Sequence, residues 1–272
     1  MPEGDTVWRT ARALGTALLG STLIRTDFRV PALAEVNLTG EQVTGSEARG
    51  KHLLLRIGEE RVLHTHLKME GAWHLYRPET RWQRPPAQAR VILQTPRWIA
   101  VGFSLGVVEL WSSGTEEQHL AYLGPDLLGP GWDVDEAMTR LLAAPRRPIG
   151  EALLDQRNLA GIGNLYRSEV LFVTGTNPWL PVGEVPQLRR VVERAKAMLE
   201  NNKERSVQVT TGNLRPGHRH WVYDRAQQPC RRCKNPISSA SMGEPGRERT
   251  VFWCAACQPE DPTPPPFNPE RA

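Results

Sequence analysis

Two hydrophobic periodicities divide this chain. Val7, Ala11, Leu14 and Leu18 recur at helical spacing, which predicts an amphipathic helix near the start, capped by Asp5 or Thr6 and ended at Gly20. From there the apolar positions shorten into strand-like runs over 22–28, 52–57, 61–66, 72–76, 90–94, 98–103 and 107–110, with Gly58-Glu59-Glu60 as a hairpin loop. Many short strands punctuated by Gly and Pro predict a β-sandwich or barrel. The strand signal stops near Gly114, and the Gly-Pro-rich text around Gly124-Pro125-Asp126 and Gly129-Pro130-Gly131 reads as a hinge. Beyond it the period is helical over 135–143, 149–155, 165–173 and 186–201, with Leu188, Val191, Val192, Ala195 and Leu199 on one face of the last. A compact turn at 158–164 joins two of these helices, and its Gly161 and Gly163 let backbone amides approach a partner closely, although a plain helix connection reads the same way. The expected fold class is α+β and multidomain.

Composition narrows the setting. A length of 272 residues accommodates two domains, and 39% hydrophobic residues suits ordinary globules. No stretch reaches the length of a membrane span, and Glu3 and Asp5 stand where a secretory signal would carry basic charge, so the expected compartment is the cytosol. The net charge of +4 is modest, but its placement is uneven. Residues 201–260 hold 10 Lys and Arg against 5 Asp and Glu, whereas residues 1–200 hold 23 of each. That surplus is an electrostatic footprint for phosphate backbones, though solvated basic faces without a ligand are also common.

Two stretches carry chemistry. If Met1 is removed, Pro2 becomes a terminal secondary amine, a nucleophile able to form a cationic iminium with an aldehyde-level carbon, and the adjacent Glu3 can move protons. Many chains begin Met-Pro without any such role, so this pair depends on its company. The second stretch is Cys230-Arg231-Arg232-Cys233, then twenty residues, then Cys254-Ala255-Ala256-Cys257. In a cytosolic chain this spacing predicts two facing knuckles that hold one structural zinc with four thiolates and no open coordination position. A redox pair, which lacks a thioredoxin-like context here, and an iron–sulfur cluster are the alternatives. The text between the knuckles, 246–253, would place Arg247 and Arg249 on a hairpin tip, and residues 259–272 read as a disordered, Pro-rich tail.

Taken in order, Met1-Pro2-Glu3-Gly4, Arg49-Gly50-Lys51-His52, Leu154-Asp155-Gln156 leading into Gly161-Ile162-Gly163-Asn164, Ser168-Glu169, and Val222-Tyr223-Asp224-Arg225 ahead of the cysteines resemble the formamidopyrimidine-DNA glycosylase and endonuclease VIII family over residues 1–258. The resemblance implies an N-terminal β-sandwich with a catalytic helix (1–113), a linker (114–131), a helix-two-turn-helix module (132–219) and a β-hairpin zinc finger (220–258). It also implies damaged DNA held in a cleft by a monomeric base-excision enzyme that is both glycosylase and abasic-site lyase. By the same resemblance Pro2 is the nucleophile, Glu3 the acid/base, Lys51 a backbone grip and proton donor, Asn164 a phosphate ligand and Arg249 the finger arginine, with Arg247 beside it. Met69 stands where the family places its wedge, flanked by Lys68, and Tyr122 stands where the endonuclease VIII branch can place an arginine. The segment 98–105 lacks the Arg-rich loop of the oxidised-purine branch, so the text leans toward oxidised pyrimidines, and cleavage by successive β and δ elimination is expected. Two rival readings are a non-catalytic damaged-DNA-binding protein of the same fold and a ribosome- or transcription-associated zinc ribbon.

Overall fold

Helix α1 (Gly4–Leu18) buries Val7, Ala11, Leu14 and Leu18, spaced four, three and four residues apart, so a single stripe faces the core. In the computed structural model, which describes residues 2–246 and 248–260, the chain divides after Trp132 into two compact units. The helix starts earlier than its sequence signals suggest. Glu3, with extended backbone, occupies the cap position, and Asp5 and Thr6 lie in the first turn.

The first unit is a β-sandwich. Strands β1 (Arg25–Phe28), β2 (Val43–Arg49), β3 (His52–Ile57), β4 (Arg61–His66), β5 (Ala72–Tyr76), β6 (Ala89–Gln94), β7 (Ile99–Phe103) and β8 (Val107–Ser112) form two four-stranded sheets, ordered β1-β6-β7-β5 and β2-β3-β4-β8. Leu53, Leu55, Ile57 and Leu63 of one sheet meet Val91, Leu93 and Ala100 of the other, and the α1 stripe joins the same core. Each Leu buried this completely contributes about 1.5–3 kcal/mol. The helix also lies close to β2, where Ser46 Oγ donates to the Ala11 carbonyl at 2.7 Å.

Strand alternation sends Leu54 and Val62 to the opposite face of the second sheet, where they pack with Trp111, Leu120 and Leu123. Leu120 ends a short helix, α2 (Glu116–Leu120), which Glu116 ties down by an ion pair with Arg56. Residues 114–131, read from the sequence as a hinge, therefore go with the first unit, and part of them covers a sheet face. Strand β2 gave no hydrophobic signal because Val-Thr-Gly-Ser-Glu-Ala-Arg holds its place through pairing with β3.

The second unit contains α3 (Val134–Leu142), α4 (Ile149–Ala152), α5 (Asn164–Thr174) and α6 (Leu188–Asn202), followed by a hairpin of β9 (Ser238–Met242) and β10 (Arg249–Trp253). Helix α5 is buried on nearly every side, and α6 buries the face predicted for it. Among the described residues no helix is long and apolar enough to cross a membrane. The expected tail lies outside the described residues from 261 onward.

Candidate functional site

Pro2 is half-buried and precedes the fully buried Glu3, whose carbonyl accepts the first helical hydrogen bond, from Val7 N, at 3.1 Å. Both residues thus sit at the positive end of α1, a setting that disfavours protonation of a nearby amine. Because the body of the helix is fixed in the sandwich core, this pair is presented by a rigid element.

Lys51 is set by a two-residue turn, since Arg49 pairs directly with His52. Gly50 occupies the left-handed region there, φ 57°, and its N–H donates to Asp126 Oδ2 at 2.8 Å. The other oxygen of Asp126 accepts from Leu128 N at 3.0 Å, so the Gly124-Pro125-Asp126 turn pins the turn that carries Lys51.

Next to it lies a row of imidazoles that the sequence reading missed. His52 pairs across the sheet with His66, and His64 with Glu109, all on one face. Tyr122 Oη lies 2.8 Å from His52 Nε2, His52 Nδ1 lies 2.8 Å from His64 Nε2, and His64 Nδ1 lies 3.0 Å from Glu109 Oε2. Burial is the main cause that holds His52 down to about 4 and His66 down to about 3, and it lowers His64 as well; the nearby charges of Lys51 and Lys68 act the same way on His52 and His66. All three rings are therefore neutral at pH 7. The available signal was the alternation in Val62-Leu63-His64-Thr65-His66, which puts both histidines opposite the core side of Leu63.

Lys68 follows this row with φ 54°, and its N–H donates to His66 Nδ1 at 2.9 Å. The loop closes through Gly71 N to the Leu67 carbonyl at 2.9 Å, and any Cβ at Gly71 would lie 2.4 Å from that same oxygen. At its tip Met69 is 61% exposed, a poor place for a core side chain and a suitable one for insertion into another molecule.

In the second unit Asn164 opens α5 and is nearly buried, with its amide nitrogen donating to the Thr250 carbonyl at 2.9 Å and its oxygen accepting from Arg167. Its side chain therefore fastens α5 to β10 beside Arg249, which is exposed. Gln156 organises the preceding turn, donating to the Leu154 and Ile162 carbonyls at 2.9 and 3.0 Å and accepting from Gly161 N at 3.0 Å. Asp155 is held well below the usual carboxylate range by hydrogen bonds from Arg157 and Arg147. The buried Glu169 carboxylate accepts from Trp221, Val222 and Tyr223 N, each at 2.8 Å, and anchors the chain that leads to the cysteines.

The four thiols of Cys230, Cys233, Cys254 and Cys257 lie within 4.8 Å of one another, with separations of 3.9 Å for Cys230–Cys257 and 3.4 Å for Cys233–Cys254. A metal with bonds of about 2.3 Å to four tetrahedral sulfurs would set them about 3.8 Å apart, so the donor set fits one metal ion. The structure thus brings together Lys51, Lys68 and Tyr122 around His52 and His66, Pro2 with Glu3, Asn164 with the start of β10, and the four cysteines. Arg247 lies outside the described residues.

Comparison with known proteins bears on these groups. The family described as Formamidopyrimidine-DNA glycosylase N-terminal domain matches residues 1–103, and the Formamidopyrimidine-DNA glycosylase H2TH domain matches residues 123–211. A Streptomyces coelicolor protein named probable endonuclease 8 2 is 51% identical over 261 residues, covering 95% of this chain and 94% of its own. A Mycolicibacterium smegmatis protein named DNA-(apurinic or apyrimidinic site) lyase Nei2 is 47% identical over 95% of this chain and 99% of its own. A solved Lactococcus lactis Fpg in complex with N7-benzyl-Fapy-dG DNA superposes with a TM-score of 0.80 at 22% identity, covering 95% of this chain and 100% of that one, a likeness of fold.

Proposed function

Because this chain belongs to the formamidopyrimidine-DNA glycosylase family, with relatives named endonuclease 8 and abasic-site lyase, we propose that it is a base-excision DNA repair enzyme that removes oxidised bases and cleaves the strand at the abasic site. The observation that carries this reading is the Pro2–Glu3 pair at the head of a helix fixed in the sandwich core. A base stacked in duplex cannot be reached, so the nucleotide is turned out at a cost of a few kcal/mol. Lys51, Arg249 and the first turn of α5 supply phosphate contacts that offset it.

Once Met1 has been removed, the Pro2 amine attacks C1′, the bond to the base breaks and the base leaves, and Glu3 moves the protons as the sugar ring opens to an iminium. Loss of a proton at C2′ expels the 3′ phosphate. A second elimination expels the 5′ phosphate, and hydrolysis of the iminium returns Pro2 as the free amine and releases the sugar remnant, leaving a one-nucleotide gap with phosphates at both ends. Oxidised pyrimidines are the preferred class in this reading. The metal is zinc, held by Cys230, Cys233, Cys254 and Cys257, and it supplies no chemistry beyond folding the hairpin that bears Arg249.

Borohydride trapping on duplex DNA with an abasic site tests this. The wild-type chain should give a covalent adduct, and Pro2→Gly should lose at least a hundredfold of it; no adduct from wild type favours the non-catalytic reading. Glu3→Gln should impair base excision more than cleavage of a preformed abasic site, and equal losses would remove Glu3 from the acid/base role.

A further inference from the structure

The row of hydrogen bonds that ends at Tyr122 has only one direction in which its protons can point. The indole Nε1 of Trp111 can only donate, and it donates to Glu109 Oε2 at 3.1 Å. That oxygen is therefore an acceptor, and as a carboxylate it also takes the proton of His64 Nδ1, 3.0 Å away. A neutral imidazole carries one proton, so His64 Nε2 is left with a lone pair facing His52 Nδ1 at 2.8 Å. The ring centroids lie 5.0 Å apart around a 2.8 Å contact between nitrogens, so the two nitrogens meet end to end, as an N–H···N bond requires. His52 Nδ1 donates, His52 Nε2 accepts, and the Tyr122 hydroxyl gives it its proton across 2.8 Å.

Packing fixes this string. His64 is 4% exposed and stacked on Trp111 with ring centroids 4.1 Å apart, and His119 of α2 also stacks on Trp111, at 4.2 Å. His66 stands edge-on to His52 and accepts from Lys68 N, so it offers the string no competing acceptor at Nδ1. The charged groups around the row are Glu109, Lys51, Lys68 and the titratable His119. Tyr122 itself is 47% exposed, and its hydroxyl proton points back at His52.

We infer that Tyr122 is a specificity-determining residue that reads a hydrogen-bond donor on DNA: with its proton committed to His52, its oxygen presents only lone pairs outward, and it pairs with an N–H on a base edge and not with a phosphate. This rests on the DNA-repair reading above. The nearby lysines take the phosphates, and the tyrosine contributes discrimination. A neutral hydrogen bond of this kind changes affinity by about two- to tenfold.

The test uses the full zinc-loaded chain and duplexes with a tetrahydrofuran abasic analogue opposite adenine, 2-aminopurine or unsubstituted purine. The last lacks any exocyclic amine. Wild type should bind at least one amino-bearing duplex about two- to tenfold tighter than the purine duplex, and Tyr122→Phe should bring all three to within a factor of two of one another. Nitrogen-15 shifts should place the proton of both His52 and His64 on Nδ1. Equal wild-type affinities, a ratio that survives in Tyr122→Phe, or a proton on His52 Nε2 would each overturn the proposal. If wild type failed to prefer the abasic duplexes over intact DNA, the repair reading itself would fall, a different result from preference without discrimination.

Discussion

The sandwich and the cysteine hairpin hold functional groups in place by opposite means. In the first unit α1 and two sheets share a single apolar core, and Pro2, Glu3 and Lys51 ride on elements whose inner residues are almost wholly buried. In the hairpin the apolar cluster is small, built on Phe172, Val222, Ile237 and Phe252 with two of the cysteines, and the rest of the constraint comes from four thiols and one carboxylate. One region is stabilised by area removed from water; the other is stabilised by a few directed bonds. A change to one side chain should be absorbed by the first and propagated by the second.

The largest expected effect is therefore removal of the metal. Zinc binding to such a site is worth on the order of 10 kcal/mol, more than a small hairpin core can replace. Chelation or Cys233→Ser should unfold residues 228–258, abolish specific DNA binding and leave the sandwich's thermal transition in place. Paired calorimetry and DNA titration would check this, and unchanged affinity in the metal-free protein would remove the hairpin from the DNA contact.

A smaller effect is expected at Glu169. Its carboxylate receives three backbone N–H groups at 2.8 Å and the Thr210 hydroxyl, all inside the second unit. Glu169→Gln replaces one acceptor oxygen with an amide NH2 that faces donors, at a cost of about 3 kcal/mol. Hydrogen exchange should quicken at Trp221, Val222 and Tyr223 while amides of β3 and β4 keep their protection. If exchange at the three loop amides did not change, the carboxylate would not be the anchor.

How much of this was legible in the sequence follows the same divide. Strands β3, β4 and β5 read correctly to the residue because they are short apolar-rich runs bounded by turn residues, and α6 read correctly because its buried face repeats at helical period. The cysteine site was legible from spacing alone. What did not read were elements with little apolar periodicity of their own, which take their place from what they pair with or cover: polar β2 on the adjacent β3, β9 with its Ser-Ser-Ala-Ser-Met text in the hairpin with β10, and α2, whose Leu120 covers the back of β3. The histidine row was invisible for a related reason. Its residues come from β3, β4 and β8, and Tyr122 from the turn after α2; only sheet register places them side by side.

The mildest contrast is in acid, and it marks the sandwich. His66 is held down to about 3 and His52 to about 4, against an ordinary 6.5, chiefly because burial penalises the charged ring. The unfolded chain therefore binds protons that the folded chain refuses between pH 6.5 and these lower values, so stability is complete above pH 6.5 and declines as the pH falls through that window. Each such histidine contributes a slope of about 1.4 kcal/mol per pH unit. Denaturant titrations of the sandwich transition at pH 7.5, 6.0 and 5.0 should show the decline, and His66→Gln should flatten it by one histidine's share between pH 6.0 and 5.0. A variant slope equal to that of wild type would mean that His66 is protonated in the folded chain and that burial does not hold the ring neutral.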